Sequence, residues 1–128
     1  MKLHIAFGTS SDLPEEYQVI DFSKDTGYEA PYPDDVLFQL SLDIGVEGSG
    51  RTDIFQCVIA TEKNRYLIKD HRHTIFFYEY RYDSFRRKIR DMVASCEKDT
   101  WNECVVCLRK HFFWEYEGIY KEEDLRKL

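Results

Sequence analysis

Cys96, Cys104, Cys107 and His111 are the residues whose types and spacing come nearest to a reactive or metal-binding set. Thiolate and imidazole are the ligands of structural zinc. Cys104, Cys107 and His111 form a C-x2-C-x3-H run that resembles half of such a site. Cys104-x-x-Cys107 is also the spacing of thiol–disulfide enzymes, in which the first cysteine sits at a helix N-terminus and the helix dipole stabilises its thiolate. Neither chemistry suits the setting. Cys104 falls a full turn inside a helix, on an apolar stripe with Trp101 and Leu108, and burial there makes a thiol inert. Cys96 belongs to a different helix, and no glycine-bearing knuckle accompanies the set. The expectation is four reduced thiols packing as small hydrophobes, with no metal and no cofactor.

Other catalytic patterns are missing. There is no G-x-S-x-G elbow, and no Cys/His pair carries a protease signature. Gly45, Gly48 and Gly50 fit neither phosphate-loop pattern and open no helix. His71-Arg72-His73 precedes a strand and is expected to be solvated. Paired acids such as Asp34-Asp35 and Glu115/Glu117 arise by chance among 24 acidic residues. The residues therefore point to no enzyme. Residues 1–50 carry a net charge of −8 and residues 51–128 a net +2. The basic footprint of a nucleic-acid binder is absent, and Arg86, Arg87, Lys88 and Arg90 read as the wet face of a helix. No run approaches the ~20 apolar residues that span a bilayer. MKLHIAFGTS has too short an apolar core for a secretory leader, so a soluble cytoplasmic protein without membrane contact is expected.

What remains is an aromatic and acidic exterior. Aromatics make up 16% of the 128 residues. Tyr28, Tyr32, Tyr66, Tyr116 and Tyr120 fall in loops or near strand ends, several beside acids. Tyrosine is among the types that anchor protein interfaces. The segment YEAPYPDD, with two prolines, cannot be a core strand. Tyr32, Asp34 and Asp35 are the first candidates for partner binding, and Asp43 on an open sheet face is the second.

These residues need a scaffold. Hydrophobic residues make up 43% of the chain, enough for one domain spanning 1–128 with its own core. Lys2–Phe7 and Tyr17–Phe22 read as short strands, and Ser23–Asp35 as a loop. In Val36–Ile44, Val36, Phe38, Leu40, Leu42 and Ile44 alternate with Leu37, Gln39, Ser41 and Asp43, a half-buried strand. GVEGSG is a flexible turn. Asp53–Thr61 and Thr74–Tyr82 are two more strands. In the latter, Phe76, Tyr78, Tyr80 and Tyr82 share one face, and Glu79 and Arg81 lie opposite. After Asp83, a good N-cap, Phe85, Ile89, Met92, Val93 and Cys96 recur at helical spacing. Thr100 and Glu103 form a capping box for a second helix with Trp101, Cys104, Val105 and Leu108. Phe112–Glu117 reads as a last strand, and KEEDLRKL as a frayed helix. The fold class is α+β: an antiparallel sheet with two consecutive helices on one face and a C-terminal strand. Gln39, Ser41, Asp43, Glu79 and Arg81 are expected on the face left to solvent.

Two stretches resemble the immunity protein 8 family of bacterial polymorphic toxin systems. They are FQLSLDIGVEGSGRTDIFQCVIAT and EYRYDSFRRKIRDMVASCEKDTWNECVVCLRKHFFWEYEGIY. The resemblance is carried by Phe38, Leu40, Leu42, Ile44 and Gly45, then Asp53, Ile54 and Phe55. It continues through Arg81, Tyr82 and Asp83, then Ser95, Cys96, Glu97 and Trp101, and closes on Phe113, Trp114 and Glu115. It covers residues 36–120, departing at Thr61-Glu62-Lys63, where the family has a Thr-Pro-type turn followed by Trp. It implies a small α+β immunity protein that neutralises a cognate toxin domain by stoichiometric binding, with no catalysis and no cofactor. A basic nuclease is one candidate for that toxin, since an acidic protein can mimic phosphate in a basic cleft. The residues alone leave two other classes open: a small Cys/His metal-binding or thiol-redox protein, and a general protein-interaction domain.

Overall fold

Strict alternation at Phe38, Leu40, Leu42 and Ile44 makes the longest strand among the described residues, and the rest of the sheet assembles on it. The computed structural model describes residues 1–117. Its strands are β1 (Leu3–Thr9), β2 (Val19–Ile20), β3 (Leu37–Val46), β4 (Asp53–Thr61), β5 (Thr74–Phe77) and β6 (Phe113–Trp114). The helices are α1 (Tyr82–Ala94) and α2 (Trp101–Leu108), with 3-10 helices at Glu15–Tyr17 and Glu62–Leu67. The sheet runs β2-β1-β3-β4-β5, and β6 also pairs with β4. All pairings are antiparallel except β4–β5. The fold is α+β, with the antiparallel sheet, consecutive helices and C-terminal strand that the pattern predicts.

Register decides which face is covered. Phe38 pairs with Ile59, Leu40 with Cys57 and Leu42 with Phe55, so these side chains share a face. Phe85, Ile89 and Val93 of α1 and Cys104, Val105 and Leu108 of α2 join them in one buried cluster. Gly45 lies inside β3 rather than in the turn. A Cβ there would sit 1.9 Å from the Arg51 carbonyl oxygen, so only glycine lets the two arms of the hairpin approach.

Several expectations shift. Tyr17–Phe22 is not one strand. The Tyr17 N–H donates to the Pro14 carbonyl (2.8 Å), which winds a 3-10 turn and leaves only Val19–Ile20 extended. The strand predicted through Tyr82 stops at Phe77, because the Tyr80 N–H donates to the Pro33 carbonyl (2.7 Å) and carries the chain off the sheet. Ile75, not Phe76, is buried there. Tyr80 and Tyr82 enter the core, whereas Tyr78 turns outward. Glu79 and Arg81 pair with each other off the sheet face.

At the helices, α1 starts two residues early. Asp83 is not its cap. The Glu29 carboxylate, from the proline-rich loop, accepts the Tyr82 N–H at 2.7 Å, while Asp83 pairs with Arg87 one turn on. Thr100 caps α2: its hydroxyl oxygen accepts the Glu103 N–H (3.2 Å) and its O–H donates to the Glu103 carboxylate (3.0 Å). The last strand shrinks to Phe113–Trp114, and Phe112 is in the core. His73 is buried, its ring 3.9 Å from that of Phe113, not solvated. Cys96 and Cys107 are joined by a disulfide with a Cα–Cα distance of 5.3 Å, so the expectation of four reduced thiols is corrected. Cys57 and Cys104 are free and buried. The expected tail helix at KEEDLRKL, and Tyr120, lie outside the described residues.

Candidate functional site

Asp35 and Val36 enter β3 through a polar staple. The Asn64 amide donates to the Asp35 carboxylate (3.1 Å), the Val36 carbonyl (3.1 Å) and the Thr61 hydroxyl (3.3 Å). The Thr61 hydroxyl accepts the Val36 N–H at 3.0 Å. A buried amide is stable only when its donors are used, and this arrangement uses the loop before β3 to do so. Upstream, the buried Tyr80 hydroxyl donates to the Tyr28 carbonyl at 2.9 Å. Burial, then the nearby Glu29 carboxylate, push the Tyr80 phenol well above its usual range, so it stays a donor. Tyr28 packs its ring 5.9 Å from that of Tyr80.

This scaffold holds Tyr32, Asp34 and Asp35 together on one turn, closed by the Asp35 N–H donating to the Tyr32 carbonyl at 3.0 Å. Tyr32 is 72% exposed. Asp34 is exposed and makes no ion pair among the described residues. Asp35 is exposed, but one of its oxygens holds Asn64. Two further tyrosines join this end of the sheet. Tyr78, 85% exposed, follows β5 two residues before the bond to Pro33. Tyr66, 82% exposed, lies on the 3-10 helix that carries Asn64. The same helix is pinned by Arg65, whose guanidinium lies 3.8 Å above the Phe76 ring and pairs with Glu62. That bond holds the Glu62 carboxyl below the usual carboxylate range. The result is one exposed tyrosine with two acids on a braced turn, and two more exposed tyrosines on the 3-10 helix and the segment after β5 at the same end of the sheet.

Asp43 is elsewhere. Six residues of strand separate it from Leu37, about 20 Å at 3.3 Å per residue. It stands on the open face of the sheet, opposite Ile54 and Phe7 in register, and accepts a bond from the Thr52 hydroxyl (3.3 Å). Around it, the Gln56 amide donates to the Ser41 hydroxyl at 3.0 Å. Phe7, Val19, Leu37, Ile54 and Phe113 are exposed apolar residues, and their register puts all five on this face.

Sequence reasoning missed Tyr78 because uninterrupted period 2 placed it with Tyr80. It named Tyr66 among the loop tyrosines but did not select it. Ile54 was legible: it alternates with Phe55, Cys57 and Ile59 and so must face the other way.

The third constellation is the Cys/His set at the helix ends, whose sequence setting disfavours a site. Cys96 leaves α1 and Cys107 closes α2, and the Sγ atoms and a ring nitrogen of His111 lie within 4.8 Å of one another. The adjacent Cys104 takes no part. Its sulfur accepts the Lys98 N–H at 3.3 Å. Burial pushes the Cys57 thiol far up, out of reach of ionisation. Among the described residues no helix is long and apolar enough to cross a membrane.

Among known protein families, the one described as Immunity protein 8 matches residues 15–119. The match starts upstream of the resemblance seen from Val36 onward, taking in the proline-rich loop and Glu29. No curated protein and no solved structure matches the chain.

Proposed function

The chain belongs to the immunity protein 8 family, and from that premise we propose that it binds a cognate polymorphic toxin domain one to one and neutralises it in the producing cell, without catalysis of its own. Family membership carries the reading, and the physical chemistry of the surface supports it. We further propose that the contact is centred on Tyr32, Asp34 and Asp35 with Tyr66 and Tyr78, and that the partner surface is basic, as in a nuclease cleft. Tyrosines offer large amphipathic area at low entropic cost. Acids beside them attract a cationic partner, and net −8 over residues 1–50 extends that attraction into solution. Steering of this kind raises association rates by roughly ten- to a thousand-fold, which suits an inhibitor that must outpace its target. An interface of about 800 Å² per partner suffices. Asp43, with the open face around Ile54 and Phe7, is the second candidate.

The test is co-expression with the C-terminal domain of the toxin encoded beside this gene. The wild-type chain is expected to rescue growth and to co-purify at one to one. Tyr32→Ala combined with Tyr66→Ala and Tyr78→Ala should weaken binding by about 30-fold or more, the scale of a hot-spot loss. Asp34→Ala should chiefly slow association and reduce its salt dependence. Full affinity in the triple variant would move the contact to the Asp43 face. Absence of rescue by the wild-type chain would sink the function itself.

A further inference from the structure

Cys96 from the segment after α1 meets Cys107 and His111 from the end of α2. Cys107 sits in the last turn of α2 and His111 in the turn that follows it, where the His111 N–H donates to the Leu108 carbonyl (3.0 Å). Cys96 reaches them from the residues that follow α1 and is fully buried, while Cys107 and His111 are half-buried at the rim. All three ligand atoms fall within 4.8 Å of one another. A tetrahedral zinc ion with Zn–S of ~2.3 Å and Zn–N of ~2.0–2.1 Å holds its ligand atoms about 3.5–4 Å apart. Opening the disulfide lets the sulfurs separate to that spacing by a rotation of the partly exposed Cys107 side chain.

We propose that, with the disulfide reduced, Cys96, Cys107 and His111 form a three-ligand site for a soft divalent cation of the zinc class, with the fourth position open toward solvent. The donor set selects the ion. Two thiolates and an imidazole suit zinc and exclude magnesium and calcium, which take oxygen. The chemistry balances with a small-molecule thiol as reductant. Two RSH reduce the Cys96–Cys107 bond to two protein thiols and leave RSSR. Zn²⁺ then binds both sulfurs and one imidazole nitrogen, releasing two protons to solvent. The same two sulfurs hold either each other or the metal, so oxidation empties the site.

The full chain, reduced with dithiothreitol and exchanged without oxygen into thiol-free buffer, is titrated with Zn²⁺ alone and then with Co²⁺ alone. One zinc per chain is expected, with the near-ultraviolet charge-transfer band of two Co²⁺–thiolate bonds. The oxidised chain is expected to bind at least about 100-fold more weakly. Cys107→Ser and His111→Gln should each weaken binding at least about tenfold, a loss seen even when an outer-shell partner of a zinc ligand is removed. Circular dichroism checks that the variants fold. If Cys107→Ser does not, the His111→Gln titration and the wild-type Co²⁺ spectrum decide. A reduced, folded chain that takes up no zinc overturns the site. So does equal uptake by the oxidised chain, a Co²⁺ spectrum without thiolate bands, or undiminished affinity in His111→Gln. None of these readouts involves the toxin, so the site and the immunity function stand or fall separately.

Discussion

Single side chains here divide into those that hold the fold together and those left exposed to solvent. Asp35 and Glu29 look alike in sequence to Asp34, yet one holds Asn64 and the other receives the first amide of α1. Asp34 is the acid on this turn whose charge is uncommitted among the described residues. A different acid contributes to the pH response. Hydrogen bonds from the Arg72 side chain and backbone N–H lower the Asp70 carboxyl from 3.8 to about 2. Between those values the folded chain binds fewer protons than the unfolded chain. The contribution of the pair is therefore complete above about pH 4 and is lost as pH falls through about 2. Asp70→Asn should flatten the fall of the urea midpoint across that interval relative to the wild-type chain. Parallel curves for the two proteins would show that the pair adds nothing on folding.

Elements in this protein are capped and bent by groups far away in sequence. The α2 cap is local, four residues long, and visible in the string TWNE. The cap of α1 is not, because its carboxylate comes from Glu29, 53 residues before Tyr82. A carboxylate at a helix N-terminus gains from both the hydrogen bond and the dipole. Glu29→Ala is expected to cost about 1–2 kcal/mol by urea denaturation, with Glu29→Gln recovering part of it. A loss below about 0.3 kcal/mol in Glu29→Ala would mean that water replaces the carboxylate at no cost. The same long-range logic shortened β5. Period 2 continued through Tyr82, but the Pro33 carbonyl captured the Tyr80 amide and pulled the strand out of register.

At the scale of the molecule, one aromatic cluster joins sheet, loop and helix. Phe85 is fully buried, with the rings of Phe22, Phe38 and Tyr80 at 5.7, 5.8 and 5.6 Å. Phe85→Ala should cost about 3–5 kcal/mol, enough to unfold a marginal domain at 37 °C. Circular dichroism and toxin protection would fail together. Retained protection with a Tm within about 5 °C of wild type would show that this junction is not where the fold is held. The sequence by itself determined β3 and β4, both amphipathic helices and the α2 cap, because each records one face of an element against water within a few residues. It also determined family membership, through the match over residues 15–119. Only tertiary structure decided that Tyr78 faces out while Tyr80 faces in, that β5 runs parallel to β4, that Asp35 is engaged and Asp34 free, and that Cys107 meets Cys96 rather than Cys104. Those outcomes depend on which distant groups satisfy a buried amide or fill a core position. Periodicity carries no information about a partner fifty residues away.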